Sequence, residues 1–169
     1  MRDARSRFTD LVTGYSDDLY RFGYWLSGDR AEADDLVQET LARAWRALGQ
    51  LRDERATKSW LFTTLRREHL RHLARRRLRT VPLDPDSITD ERRGFDDTAE
   101  ALAVRRALAN LAPEYREPLV LQIVGGFSGE EIGAMLGLTV GAVNVRLCRA
   151  RRQLRGALSD EPASEDLRT

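Results

Sequence analysis

The sequence predicts an all-α protein: two small helical domains joined by an acidic flexible linker. Apolar residues recur at spacings of three and four through most of the chain, and no segment alternates as a strand would. That periodicity breaks down in TVPLDPDSITDERRGFDD, residues 80–97, where Pro82, Pro85 and Gly94 interrupt it and six acidic residues face only Arg92 and Arg93. A length of 169 residues suits one medium domain or two small ones. The expected division is a first domain over 1–78, a linker over 79–97, a second domain over 98–158 and a disordered polar tail over 159–169.

Helices are expected near 5–26, 31–48 and 59–77, broken at Gly28 and around Gln50–Thr57. Helical pattern resumes from Thr98 to Leu111, stops at Pro113 and continues from Glu114 to Val124. Ser128 with Glu131 three residues on is a capping-box pattern, Ile132, Met135 and Leu136 form a short apolar stripe, and Gly137 ends it. Thr139 then caps a helix whose Val143, Leu147, Ala150 and Leu154 share one face. At about 100° per residue, Val145, Cys148, Arg149, Arg152 and Arg155 point away from that face. This is a helix-turn-helix, and its basic second helix suits the major groove of DNA. An ordinary amphipathic hairpin with a solvated basic face fits the same residues, so the rest of the chain has to decide.

Two helices of the first half divide their faces in the same way. In 31–48, Leu36, Val37, Leu41, Ala44, Trp45 and Leu48 form the core side, while Asp35, Gln38, Glu39, Ala42 and Arg46 project outward. That outer face is either solvated surface or a docking site for a basic protein. In 59–77, Leu61, Phe62, Leu65 and Leu73 face inward, and Trp60, Thr64, Arg67, Arg71 and Arg75 line the other side, with Arg76 beside them. Flat rings among guanidinium groups suit single-stranded or opening DNA. Trp60 fits a half-buried core position equally well, and His69 reads as a packing residue.

Composition excludes several classes. The net charge of +1 hides local segregation, because the basic residues are almost all Arg, Lys58 being the sole Lys, and they cluster near 66–79 and 146–155. No apolar run is long enough to span a membrane and the first residues lack a signal-peptide core, so a cytoplasmic protein without membrane contact of its own is expected. Cys148 has no second cysteine to pair with, and with only His69 and His72 available no structural zinc site is expected. No glycine-rich phosphate loop, metal-ligand cluster or nucleophile paired with a base is present, so neither cofactor nor enzymatic activity is expected.

DRAEADDLVQETLARAW (29–45), WLFTTLRREHLRHLARRR (60–77) and LANLAPEYREPLVLQIVGGFSGEEIGAMLGLTVGAVNVRLCRARRQLR (108–155) together resemble bacterial RNA polymerase sigma factors of the extracytoplasmic-function group. The resemblance covers nearly the whole chain in the right order. It implies that 1–78 is a domain called sigma-2 and 98–158 a helix-turn-helix domain called sigma-4. It also implies that Asp35, Leu36, Gln38, Glu39, Ala42 and Arg46 bind the clamp helices of the polymerase largest subunit, and that Trp60, Thr64, Arg67, Arg71, Arg75 and Arg76 recognise and open the downstream promoter element. Thr139, Asn144, Val145, Arg146, Arg149 and Arg152 would read the upstream element, with the second domain resting on the flap of the second-largest subunit. The linker would run along the RNA exit path, and an anti-sigma factor would hold the protein inactive.

Some positions depart from the family pattern. Against the common WLFTIARN run, Glu68 is set where members carry Asn, which removes a polar base contact. Against VGTVKSR, the chain reads VGAVNVR, with Ala142, Asn144 and Val145 in place of Thr, Lys and Ser. Val145 cannot bond a phosphate but can meet a thymine methyl, which implies altered upstream specificity. The rival reading, a repressor or activator that binds operators without polymerase, leaves the Asp35–Glu39 face and the acidic linker without a role.

Overall fold

The structure is a computed structural model that describes residues 3–79 and 98–159. Among the described residues there are seven helices and no strand: α1 (Ala4–Ser27), α2 (Arg30–Ala47), α3 (Glu54–Arg79), α4 (Ala99–Asn110), α5 (Pro113–Ile123), α6 (Gly129–Leu136) and α7 (Val140–Ser159). Residues 80–97 of the expected acidic linker and all of the expected tail beyond Ser159 lie outside the described residues. No single described helix is long and apolar enough to cross a membrane.

Local chemistry sets the helix ends. Asp29 caps α2 by accepting from the Glu32 amide at 2.8 Å, and Thr98 caps α4 through the Ala101 amide. Helix α3 starts five residues before the predicted Ser59, because Asp53 accepts from the Ala56 amide at 2.7 Å and the Thr57 hydroxyl bonds the Asp53 carbonyl. It also runs to Arg79, past the expected domain end at 78. In α7 Ser159 is still helical, one residue into the expected tail.

Helices α1, α2 and α3 pack around Leu19, Phe22, Ala33, Leu36, Ala44, Leu61, Phe62 and Leu65, all fully buried. Each such Leu or Phe contributes about 1.5–3 kcal/mol by leaving water. Phe22 and Phe62 bring α1 onto α3, with ring centroids 5.2 Å apart. Trp45, expected in the core, is instead 49% exposed and stacks edge-on against Phe8 at 5.0 Å. It sits near the C-terminal end of α2, where the indole covers α1 from outside.

Helices α4 to α7 form the second group around Leu119, Leu121, Ile132, Val143, Leu147 and Ala150. The turn between α6 and α7 depends on two glycines. Gly137 has φ +68°, the left-handed conformation that ends a helix cheaply only without a Cβ. A Cβ on Gly133 would lie 2.6 Å from the Leu138 carbonyl oxygen, so only glycine lets the chain fold back this closely.

The two groups touch. Helix α5 lies against α1 and α6 against α3, and the core runs on from one group to the other through Phe62 and Phe127, whose rings meet edge to face at 5.1 Å.

Candidate polymerase and promoter interface

The helix-turn-helix is built as its sequence requires. Ser128 Oγ accepts from the Glu131 amide at 3.2 Å while Glu131 Oε2 accepts from the Ser128 amide at 2.8 Å, a reciprocal capping box. Thr139 Oγ1 accepts from the Ala142 amide at 3.1 Å and starts α7. Val143, Leu147 and Ala150 are buried beneath α7, and Asn144, Val145, Cys148, Arg149, Arg152 and Arg155 are exposed on it. Thr139 is exposed at its start, and Arg146 is half-buried at the edge of the outer face. Arg151, off this face, bonds Gln122 on α5. The outer face therefore carries guanidinium groups, one amide and one methyl-bearing side chain, the chemistry that phosphate, base edges and thymine require.

Helix α2 displays Asp34, Asp35, Gln38, Ala42 and Arg46 to solvent, with Glu39 half-exposed beside them. Leu36, predicted with this set, is fully buried against α1 and α3 and cannot touch a partner. It belongs to the same short segment but to the opposite side of the helix. Asp34 is an exposed acid at the same place that the sequence reading passed over.

Helix α3 is more deeply enclosed than a single-wheel reading allows. Arg67, Arg71, Arg75 and Arg76 are exposed as expected and Trp60 is half-buried, packed on the core. Thr64, predicted to face DNA, is 8% exposed. Helices α1 and α2 pack on α3. The second helix group covers a further face: Phe127 caps Phe62, Lys58 Nζ lies 5.6 Å from the Phe127 ring centroid, Arg66 pairs with Glu117 of α5, and Arg55 Nε donates to Glu131 Oε1 at 2.7 Å. The Arg55 hydrogen bond, helped by the Ser128 amide, holds the Glu131 carboxyl at about 2, well below the usual carboxylate range.

Glu68 is buried, not aimed at a base. Counting from Trp60 in the WLFTIARN run puts the Asn position at Arg67, which is exposed, so the departure from the family pattern belongs to Arg67 and the Glu68 assignment was one residue out of register.

The sequence reading missed a charged seam between α2 and α3. Glu32, 5% exposed, meets His69 Nδ1 at 3.2 Å, His72 Nδ1 at 3.7 Å and the Arg76 guanidinium. Burial pushes the Glu32 carboxyl up, but the His69 hydrogen bond and the charges of Arg76, His69 and His72 outweigh it and hold the carboxyl below its ordinary value. Glu68 carries Arg43 and Arg71, each at 2.6 Å. The signal available beforehand was the pair His69 and His72 at helical spacing on a helix otherwise rich in Arg. Among the described residues no cluster of His, Cys, Asp and Glu has the form of a metal site, and Cys148 is an exposed thiol.

Comparison with known proteins now settles the family. Residues 11–79 match the family described as Sigma-70 region 2, and residues 101–154 match Sigma-70, region 4. The chain belongs to the ECF RNA polymerase sigma factors. The ECF sigma factor SigE of Mycolicibacterium smegmatis is 35% identical over 92% of this chain and 63% of its own length. SigL of Mycobacterium tuberculosis is 36% identical over 84% of this chain and 83% of its own. Among solved structures, the Bartonella quintana sigma factor RpoE bound to the anti-sigma factor NepR superposes with a TM-score of 0.75 at 30% identity, over 91% of this chain and 98% of that one. CnrH in complex with the cytosolic domain of CnrY gives 0.66 at 29% identity, over 94% and 91%. Sigma factors are transcription initiation factors.

Proposed function

We propose that this sigma factor docks on the clamp helices of the polymerase largest subunit through Asp34, Asp35, Gln38, Glu39, Ala42 and Arg46. Trp60, Arg67, Arg71, Arg75 and Arg76 of α3 then engage the downstream promoter element as it opens, and Thr139, Asn144, Val145, Arg146, Arg149 and Arg152 read the upstream element in duplex form. The observation that carries this reading is the division of labour between exposed faces: an acidic and amide-bearing surface on α2, and basic surfaces on α3 and α7, all on one short chain. An acidic surface suits a basic protein partner and repels DNA, while the arginine faces do the reverse.

Tethering both DNA-reading faces to one polymerase makes the second contact effectively intramolecular, so neither needs high affinity alone. A captured base stacked on a side chain contributes about 1–3 kcal/mol, against about 1.4 kcal/mol lost per opened base-pair step. The chain itself makes and breaks no bond, and catalysis stays with the polymerase. The solved relatives in complex with NepR and CnrY support a further partner, an anti-sigma factor, which would cover the polymerase-binding and DNA-binding faces.

Promoter-dependent transcription with purified core polymerase tests the reading. Specific transcripts from wild type, lost with Asp35→Arg while the circular dichroism spectrum stays unchanged, are the expected result. A chain that ignores core polymerase yet shifts duplex DNA alone overturns it in favour of a conventional repressor.

A further inference from the structure

Helices α2 and α3 run antiparallel and meet rung by rung: Glu39 faces His72 at 3.2 Å and, one turn further along each helix, Arg43 faces Glu68 at 2.6 Å. The second rung has an unusual construction. The Glu68 side chain is 6% exposed, and its single oxygen Oε1 receives Arg43 Nε from α2 and Arg71 Nη1 from α3, both at 2.6 Å. Both guanidinium groups remain about half exposed. The anion thus lies beneath the surface and two cations are displayed above it. A carboxylate taken out of water needs donors to offset its lost hydration, and these two arginines are the donors.

The two arginines belong to different working surfaces. Arg43 follows Ala42 at the margin of the polymerase-facing side of α2. Arg71 stands in the exposed row Arg67, Arg71, Arg75 on α3, four residues from each neighbour and therefore on one stripe of the helix. Arg67 and Arg75 make no ion pair among the described residues, whereas Arg71 is fixed by one bond and keeps its remaining N–H groups for another acceptor. A long side chain held at one point loses less freedom when it meets a ligand than one that waggles in water.

We propose that Glu68 is a positioning residue for promoter opening. It sets the Arg71 guanidinium at the α2–α3 seam to receive a backbone phosphate of the separated strand, and by sharing one oxygen with Arg43 it links that placement to the helix that docks on polymerase. The proposal rests on the docking and opening roles given to α2 and α3 above. It adds a residue that touches neither DNA nor polymerase and acts through Arg71, which meets the DNA.

The test uses the full chain with core polymerase on a promoter selected by the wild-type holoenzyme from a randomised library. Core affinity, melting temperature, open-complex lifetime and the salt dependence of promoter binding are measured for wild type, Glu68→Gln, Arg71→Ala and the double variant. Glu68→Gln keeps the side chain's shape, and Arg71→Ala changes an exposed position, so both are expected to fold. Each single variant should shorten the open-complex lifetime about tenfold, the size of one charge-assisted contact. Each should also reduce the slope of log affinity against log salt by about one phosphate contact.

The double variant should be no worse than Arg71→Ala alone within about twofold, because both changes remove the same contact. Core affinity should hold. Multiplicative effects in the double variant, or a Glu68→Gln protein with wild-type lifetime and salt slope, overturn the proposal. So does a Glu68→Gln protein that merely melts lower and binds core more weakly with its salt slope intact, since that is a packing role. A wild-type chain that selects no promoter with core marks the separate failure of the underlying reading and takes this proposal with it.

Discussion

The α2–α3 seam and the seam between the two helix groups are both held by arginine and glutamate, yet they differ in where the carboxylates lie. In the first, the Glu32 and Glu68 side chains are 3% and 6% exposed, with Arg76 and two histidines on Glu32 and two guanidinium groups on Glu68. In the second, the Glu131 and Glu117 side chains are 24% and 19% exposed, and Arg55 is 77% exposed. A carboxylate under protein keeps its partners whatever the ionic strength, whereas an exposed pair is screened within about 10 Å at 0.1 M salt. The first seam is therefore a fixed part of the fold, and the second is a contact that solvent and partners can compete for. The edge-to-face Phe62–Phe127 pair gives the second seam its apolar part.

Four changes break or sharpen that contrast, the largest first. Phe62→Ala removes a ring that touches Phe22 on one side and Phe127 on the other, and should cost about 3–5 kcal/mol in denaturant unfolding. A loss below 1 kcal/mol would mean that α3 is not the centre of this core. Glu32→Gln removes the buried anion beneath His69, His72 and Arg76, and should cost about 1–3 kcal/mol at neutral pH by chemical denaturation.

The same variant should flatten the acid limb of the stability curve. The Glu32 carboxyl is held below its unfolded value, so it binds a proton more readily unfolded than folded. Its contribution is fully present above about pH 4.3 and is lost as pH falls through the folded value. If Glu32→Gln and wild type lose stability in parallel below pH 5, the buried seam is not what acid attacks.

High salt should separate the two seams directly. With a fluorophore on Cys148 and a second on an introduced cysteine at Thr13 of α1, the distance between the helix groups should grow on going from 0.1 to roughly 1 M salt while helicity stays constant. Helicity lost in step with the distance would put both seams in one class.

Arg55→Ala is the mildest change. It should leave the melting temperature where it is at neutral pH, because the guanidinium is largely in water, yet widen the same distance at 0.1 M salt. It should also return the Glu131 carboxyl, measured by side-chain NMR titration, from about 2 towards the ordinary carboxylate value, since the Arg55 hydrogen bond is the main cause of its depression.

Much of this molecule could be read from local pattern. Ser128 with Glu131, the glycine at 137 and the Val143, Leu147, Ala150 stripe specify the helix-turn-helix because each term acts within one or two turns. The α3 start was missed because Asp53 caps it from inside a stretch that otherwise reads as a break. Thr64 and Trp45 failed for a different reason. A wheel shows which residues share a face but not how many neighbours press on the helix, and α3 is packed by α1, α2 and α6 while the end of α2 is not. Leu36 was placed with a short motif instead of with its own side of the helix. The buried seam was invisible because Glu32 takes its partners from 37 or more residues away, and Glu68 takes Arg43 from another helix and Arg71 from a face that looked solvated.

Glu131 divides its work between two atoms. Oε2 closes the first turn of α6 on Ser128, and Oε1 receives Arg55. Moving Arg55 away empties one oxygen and leaves the other bond where it was. The DNA-reading hairpin is therefore a prefabricated part: it arrives at a promoter already folded, whichever way the two halves of the chain happen to be arranged when it gets there.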